Sequence, residues 1–385
     1  MRLVQPAHTR SCSKAQVHAE LLRDELNQSY FHGESFMSIL DHWHPVLQSR
    51  RLRSGPVGVR LAGRALVLFR DDQHRIGALE DICAHRRMRL SLGQVKGGRL
   101  QCPYHGWTFD SCGHGQSPGT PRLQAQVATY DAREAYGAIW VKARAAAGPF
   151  PEFAVDGYRH MCTLEHSMRG PLELALDNFS EIEHTGTVHQ AFGFDPERMA
   201  EVNVQIDPTD TTVHVRNAGP CKHIGLAMRQ LLGVRRRHWF YSHWTTYFSP
   251  IHLVIDHWWG DPVTGREALV RWRVIVVLTP VGPSETVAWS FAYARSRWPV
   301  PGGGLPLFHW LMRRQLDAEI RLDVALVEGL ASLDPSIEGM KLGRFDRVLG
   351  LNRERIERLY RGRKDTPTGN GKTAASAPEP RRTED

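Results

Sequence analysis

Cysteine is scarce. Six residues in a chain of 385 are too few and too widely spaced for a disulfide framework, which excludes the small secreted scaffolds and makes metal binding the use to look for. Long apolar runs are also missing. The longest, around Val274 to Leu278, falls far short of the ~20 residues that cross a bilayer, so no spanning helix is expected. Charge of one sign does not dominate: the net charge is +8, but Lys and Arg are scattered and Arg235 to Arg237 is among the few dense runs. That is a weak case for nucleic acid and a fair one for an acidic protein partner. No G-x-G-x-x-G or flavin motif occurs, and "PGGG" at 301–304 lacks the strand and helix context of a phosphate loop. No internal repeat of 20–50 residues is visible. The lack of a disulfide framework makes the cytoplasm the expected location, and the N-terminus has no hydrophobic core of a secretory signal. Its acid-free, mildly basic opening leaves a transit peptide open, with Met37 as an alternative start of the folded unit.

What is present suits two structured domains, since about 100–200 residues make one. Residues 1–36 read as an arm with a helical stretch around Ala19 to Glu25. From Trp43 the text alternates apolar and polar positions broken by polar turns, the pattern of short antiparallel strands, as far as "YGAIWVKA". "AAAGPFPEF" then marks a boundary, which places the first domain at 37–148 and the second at 149–362. In the second, "HLVIDHWWGDPVTGREALVRWRVIVVLTPV" reads as two strands around a turn and "ETVAWSFAYARS" as a third, followed by helices from about Pro306 to Leu330 and near Arg353 to Tyr360. Residues 363–385 are Pro, Gly, Ser and charge, a disordered tail by composition.

The first domain carries "CAHRRMRLSLGQVKGGRLQCPYHGW" at 83–107. Two loops each supply a Cys followed by a His. Thiolate and imidazole pairs of this kind can hold zinc tetrahedrally, but one Cys and one His per loop suits a cluster of two inequivalent irons, with Cys83 and Cys102 on one and His85 and His105 on the other. The spacing C-x-H-x16-C-x2-H, with "HRR" and "CPYHGW", resembles the Rieske domain of the Rieske non-haem iron oxygenases. Respiratory Rieske proteins carry an extra cysteine in each loop. Met88 and Tyr104 stand at those places here, which favours the lower-potential oxygenase type. Cys112 reads as a packed or surface thiol, and Cys12, Cys162 and Cys221 as structural.

A second segment, "DNFSEIEHTGTVH" at 177–189, resembles the N-x-x-D-x-x-H-x4-H segment of the same family. The resemblance implies a mononuclear Fe(II) held by His184 and His189, with Asn178 and Glu181 as catalytic residues. On a regular helix the two histidines would lie roughly 140° apart, so a break between them is expected, at Gly186. A third, carboxylate ligand would complete a facial triad open to dioxygen. Leu316, Ile320, Val327 and Leu330 trace an apolar stripe on the later helix, and Asp323 falls inside it, where a buried carboxylate needs a partner; iron or an arginine would serve. Asp323 also matches the family's late D-x4-E pattern, with Glu328 as the second acid. Asp317 and Glu319 lie off the stripe and are expected to face solvent, as is Glu183. Asp177 reads as a helix or interface residue.

Most relatives have aspartate where this chain has Glu181, linking a mononuclear-site histidine to a Rieske histidine of the neighbouring subunit. The longer side chain can keep both hydrogen bonds, to His184 and to the partner subunit's His105, which implies a homotrimer. Electrons would come from a separate ferredoxin or flavin reductase, with Arg86 and Arg87 as docking candidates or as packed arginines. The family's architecture implies an α+β chain: an antiparallel all-β Rieske [2Fe–2S] domain and a helix-grip, START-like catalytic domain with an apolar pocket. Reactions of this class are hydroxylation, cis-dihydroxylation and O- or N-demethylation, so a monooxygenase or a dioxygenase is expected.

The strands of the second domain concentrate Trp239, Phe240, Tyr241, Trp244, Tyr247, Phe248, Trp258 and Trp259, about half of which should face the pocket. They suit a hydrophobic, aromatic or polycyclic substrate, or serve as sheet core; as a cage they would suit a quaternary ammonium compound. His238, His243, His252, His257 and His309 include at most one expected substrate contact. The rival reading is a non-catalytic Rieske electron carrier with a ligand-binding domain, which has no use for His184, His189 and Asp323.

Overall fold

The computed structural model describes residues 39–53, 55–297 and 306–363. The expected arm at 1–36 and the tail beyond 363 lie outside the described residues. Eleven short strands come first: β1 His44–Gln48, β2 Val57–Leu61, β3 Arg64–Arg70, β4 Ile76–Glu80, β5 Gln94–Lys96, β6 Arg99–Gln101, β7 Thr108–Phe109, β8 His114–Gln116, β9 Ala125–Gln126, β10 Tyr130–Ala135 and β11 Ala138–Ala143. They form three small antiparallel sheets, ordered β1-β11-β10, β2-β3-β4 and β5 through β9. Val67, Phe69, Leu79, Leu100 and Phe109 make a local core under the two Cys/His loops. These runs are rich in β-branched and aromatic residues bounded by Gly and polar turns, as short strands require.

Seven longer strands follow: β12 Arg159–Arg169, β13 Asn203–Pro208, β14 Thr212–Pro220, β15 Trp239–Phe248, β16 Ile251–Gly260, β17 Glu267–Gly282 and β18 Glu285–Ser296. They make one antiparallel sheet, ordered β12-β18-β17-β16-β15-β14-β13. The expected hairpin is β16 and β17. In its turn Asp261 Oδ1 accepts from the backbone N–H groups of Val263 at 3.0 Å and Thr264 at 3.1 Å, an Asx turn. Among the described residues four α-helices complete the fold, α1 Leu172–Phe179, α2 Leu226–Leu232, α3 Pro306–Glu328 and α4 Arg347–Arg355. Helix α3 lies against β12 and β18, where Ile320 packs with Cys162, Leu164 and Ala292. The arrangement is the expected α+β fold, with a long helix gripped by a curved sheet. No helix among the described residues is long and apolar enough to cross a membrane.

The two groups of strands share a core. Trp43, Ala138 and Trp140 of the first pack with Ile275, Val277, Trp289 and Phe291 of the second. The Trp140 and Phe291 rings stack with centroids 5.8 Å apart, and Thr279 Oγ1 donates to the Pro45 carbonyl at 3.0 Å.

Candidate functional site

The two Cys/His loops close by the same pair of backbone hydrogen bonds. Cys83 N donates to Met88 O at 2.8 Å and Arg87 N to Cys83 O at 3.0 Å; Cys102 N donates to Trp107 O at 2.7 Å and Gly106 N to Cys102 O at 3.1 Å. Each turn needs a left-handed residue, Gly106 at φ +70° and Arg87 at +56°. Glycine takes that conformation freely, whereas arginine is held there against its preference. The result places Cys83 and Cys102 inside, each 2% exposed, and His85 and His105 at the surface with ring centroids 4.7 Å apart. Trp107 stacks on His85 at 4.8 Å and Tyr104 lies against His105 at 3.7 Å. Burial, reinforced by the adjoining Cys102, raises the Cys83 thiol. Buried thiols without a protein cation and paired imidazoles at the rim suit a cluster that brings its own positive charge and two unlike irons. Arg86 and Arg87 are both exposed beside it, and Arg86 Nη1 donates to the Tyr104 hydroxyl at 3.4 Å.

Helix α1 ends at Phe179, and a short 3-10 turn over Glu183–Gly186 carries His184. The expected break therefore falls before His184. Gly186 matters for closeness: a Cβ there would sit 2.9 Å from the Phe194 carbonyl oxygen. Lys222 fastens the loop, donating from Nζ to the Gly186 carbonyl at 2.9 Å and to that of His189.

His184, His189 and Asp323 come together. His184 Nε2 is 3.2 Å from His189 Nε2, and Asp323 Oδ1 lies 3.4 Å from the first and 3.3 Å from the second. Three donors at right angles around a metal at about 2.1 Å stand about 3.0 Å apart, so this near-equilateral triangle fits one face of an octahedral site after a small contraction. Among the described residues no arginine is paired with Asp323. Asn178 Nδ2 donates to its Oδ1 at 3.0 Å. Burial opposes charge on these groups, yet their mutual hydrogen bonds prevail, pushing His184 up to about 9 and holding Asp323 down to about 2.

Each imidazole is oriented from behind by a carboxylate. Glu181 accepts from His184 Nδ1 and from the backbone N–H of Glu183. Glu319 accepts from His189 Nδ1 at 3.0 Å, from Gln190 N at 3.0 Å and from Ala191 N at 2.8 Å. The expectation that Glu319 faces solvent is wrong: it is only 3% exposed. Asp317 is part-exposed and accepts from His166 Nε2 at 2.9 Å. Glu183 is exposed. Glu328 accepts from Arg169 N, Leu330 is exposed rather than part of the stripe, and Asp177 is paired with Arg353. Lys222 and Glu319 were not legible as site residues, although Glu319 stands four positions before Asp323, the spacing that puts two side chains on one helix face.

The triangle lies in the wall of a cavity of about 930 Å³, counted out to its open mouth. Phe192, Phe240, Trp244, Trp272 and Val274 line it from loop and sheet, and Met312 and Leu316 from α3. Of the eight aromatic residues concentrated in the strands, Phe240 and Trp244 line the cavity and Phe248 and Trp259 are buried in the core behind it. Tyr241 and Trp258 stack on each other at 5.0 Å and Tyr247 on His252 at 4.7 Å, on the other face. Of His238, His243, His252, His257 and His309, it is His257 that lines this cavity. Burial pushes it down to about 4, so it is neutral at pH 7, and its Nε2 lies 3.1 Å from Ser242 Oγ.

Comparison with known proteins agrees with this architecture. Residues 42–131 match the Rieske [2Fe-2S] domain family. The methylxanthine N1-demethylase NdmA of Pseudomonas putida is 33% identical over 181 residues, which are 43% of this chain and 51% of that protein; the chain thus matches about half the length of that relative. Its solved structure as a variant with caffeine superposes with a TM-score of 0.66 at 21% identity, covering 85% of this chain and 92% of the other. Dicamba monooxygenase bound to 3,6-dichlorosalicylic acid gives 0.68 at 20% identity, covering 84% and 97%. The structural likeness extends over most of the chain, beyond the residues matched by the family. Residues 42–131 thus make a Rieske [2Fe–2S] domain, and the chain as a whole is similar to the Rieske non-haem iron oxygenases in its two-part fold.

Proposed function

We propose that the chain is a terminal oxygenase that hydroxylates, or removes an O- or N-methyl group from, a hydrophobic small molecule. It would use dioxygen and electrons from a separate ferredoxin or flavin reductase. The observation that carries this reading is the convergence of His184, His189 and Asp323 in the wall of an apolar cavity, on a chain with a Rieske domain. Cys83, Cys102, His85 and His105 would hold the [2Fe–2S] cluster and the triad a ferrous ion, which when bound supply an electron and the activation of dioxygen. Glu181 and Glu319 accept from Nδ1 of the two imidazoles, which fixes the tautomer and leaves each Nε2 free as a donor to metal. Asn178 steadies the Asp323 oxygen that faces the same point. The aromatic walls exclude water and present an apolar substrate to that point. Demethylation of a ring-bearing compound is supported by the name of one relative, a methylxanthine N1-demethylase, and monooxygenation by that of another, dicamba monooxygenase.

The reading includes a homotrimer in which Glu181 also reaches the partner subunit's His105, and a cytoplasmic location. Iron and acid-labile sulfide analysis of anaerobically purified protein tests it. About three irons and two sulfides per chain are expected, with a Rieske-type visible spectrum; two irons and two sulfides would support the electron carrier instead. Replacing His184 with Ala should remove the third iron and turnover and leave the cluster, and loss of the cluster as well would defeat the two-site division.

A further inference from the structure

A lysine drawn out of water usually sits against a carboxylate, because its charge needs an opposite one. Lys222 is half-buried and does not. Among the described residues no acid is in ion-pair contact with it, and its Nζ donates to three backbone carbonyls instead: Thr185 at 3.4 Å, Gly186 at 2.9 Å and His189. An ammonium has three N–H groups, so all of them are spent on one loop. Backbone pairing brings the lysine there. Lys222 N donates to Gly193 O at 3.4 Å and Asp195 N to Pro220 O at 2.9 Å, which ties the end of β14 to the segment just after His189.

The loop needs such a fastening. His184 and His189 stand too far round a regular helix to share a face, and the 3-10 turn that carries His184 ends at Gly186. Thr187 N and Val188 N both donate to the His184 carbonyl, so the carbonyls of Thr185, Gly186 and His189 are left to look outside the turn, and a buried carbonyl without a donor is costly. One cation takes all three. It thereby joins the turn of the first imidazole to the backbone of the second. Charge points the same way. Asp323, Glu181 and Glu319 surround the triad, and among the described residues that line the cavity there is no lysine or arginine. A ferrous ion together with the Lys222 ammonium would balance those three carboxylates, whereas a ferric ion would leave one positive charge over. Burial pulls the Lys222 ammonium down and the charge of Glu319, behind His189, pulls it back up.

We infer that Lys222 is a positioning residue of the mononuclear site, which pins the loop from Thr185 to His189 and by its charge favours the ferrous over the ferric state. The inference rests on the triad holding iron, as in the oxygenase proposed above.

Two measurements on the full chain test it. Hydrogen exchange of the metal-free protein reads the loop without iron. In Lys222→Met the amides of Thr187, Val188, Gln190 and Ala191, all hydrogen-bonded here, should exchange about 10-fold faster. In Lys222→Arg, which keeps a charged multiple donor, they should stay within about threefold of the unaltered chain. Redox titration of the iron-loaded protein, followed by electron paramagnetic resonance, reads the charge. At a fixed potential the ferric-to-ferrous ratio of the mononuclear iron should rise about 10-fold in Lys222→Met, the scale of one unit charge acting through a half-buried site, and should not move in Lys222→Arg. A purely structural contact would change the exchange and leave the ratio alone. Unchanged exchange or an unchanged ratio in Lys222→Met would overturn the inference, as would an equal rise of the ratio in Lys222→Arg. Should Lys222→Met fail to fold, Lys222→Gln, which keeps an N–H donor and drops the charge, carries the test of the ratio. An unaltered chain that takes up no third iron would defeat the oxygenase reading, while the exchange still decides the pin; a third iron whose ratio ignores Lys222 would defeat the inference alone.

Discussion

Glu319 Oε2 lies 3.0 Å from His189 Nδ1, and the same carboxylate collects the backbone N–H groups of Gln190 and Ala191. One buried acid on α3 thus sets both the ring orientation of His189 and the path of the chain just after it. Glu319→Gln keeps the shape but weakens the acceptor and reverses half of its polarity. A 10–100-fold loss of affinity for the third iron is expected, read by titrating Fe(II) into the metal-depleted protein. The visible spectrum of the cluster should not change; if it did, the residue would be supporting the fold as a whole.

The metal-free triangle is held together by protons. Burial resists the charge on His184, but Asp323 and Glu181 outweigh it and raise the imidazole to about 9, above its unfolded value near 6.5. Below about pH 9 the metal must displace at least one proton, so log affinity for Fe(II) should rise by about one per pH unit between about pH 6 and 9 and then level off. In the metal-free protein the sign is opposite. The charged His184 stabilises the fold fully below about pH 6.5, and that contribution is lost as the pH rises toward 9. Thermal unfolding of metal-free and Fe(II)-loaded protein across this range checks both directions, and a flat affinity profile would rule out the proton exchange.

Glu181 offers one oxygen to His184 Nδ1 and the other to Glu183 N, so the proposed bridge to the partner subunit's His105 requires that carboxylate to be shared. Glu181→Gln should retain about three irons and two sulfides. Cluster reoxidation in a single turnover should slow by about 10²-fold or more, since a neutral amide cannot replace the charged acceptor. Unchanged reoxidation would remove Glu181 from the electron path.

The stack of Trp140 on Phe291 joins the first strands to the second sheet, and both rings are fully buried. Trp140→Ala should cost about 3–5 kcal/mol, measured by denaturant unfolding. The cluster absorbance and the fluorescence of the second sheet should move to lower denaturant together. Separate transitions, with only the cluster affected, would show that the shared core does not couple the two parts.

Much of this was legible in the sequence because it is local. The turn chemistry of the Cys/His loops, the Asp261 turn between β16 and β17, and the apolar stripe that exposes Asp323 as out of place all lie within short windows. Glu319 was missed because the stripe was drawn too narrowly. It stands about 100° from Ile320 but only about 40° from Asp323 around the helix, and the buried face is wide enough to hold both. The row of Asn217, Ser242, His257 and Trp272 across β14 to β17 was out of reach for another reason. It depends on the register of four strands at once, and a slip of one residue in any of them would send its member to the opposite face.

The triangle also has a history built into it. His189 and Glu319, 130 positions apart, meet only after seven strands have been laid down between and around them, and Asp323 follows from the same late helix. A ribosome that had released everything up to β18 would have exposed a finished sheet and both histidines, with the carboxylate still in the tunnel. A complete triangle therefore requires both the finished sheet and the helix that follows it.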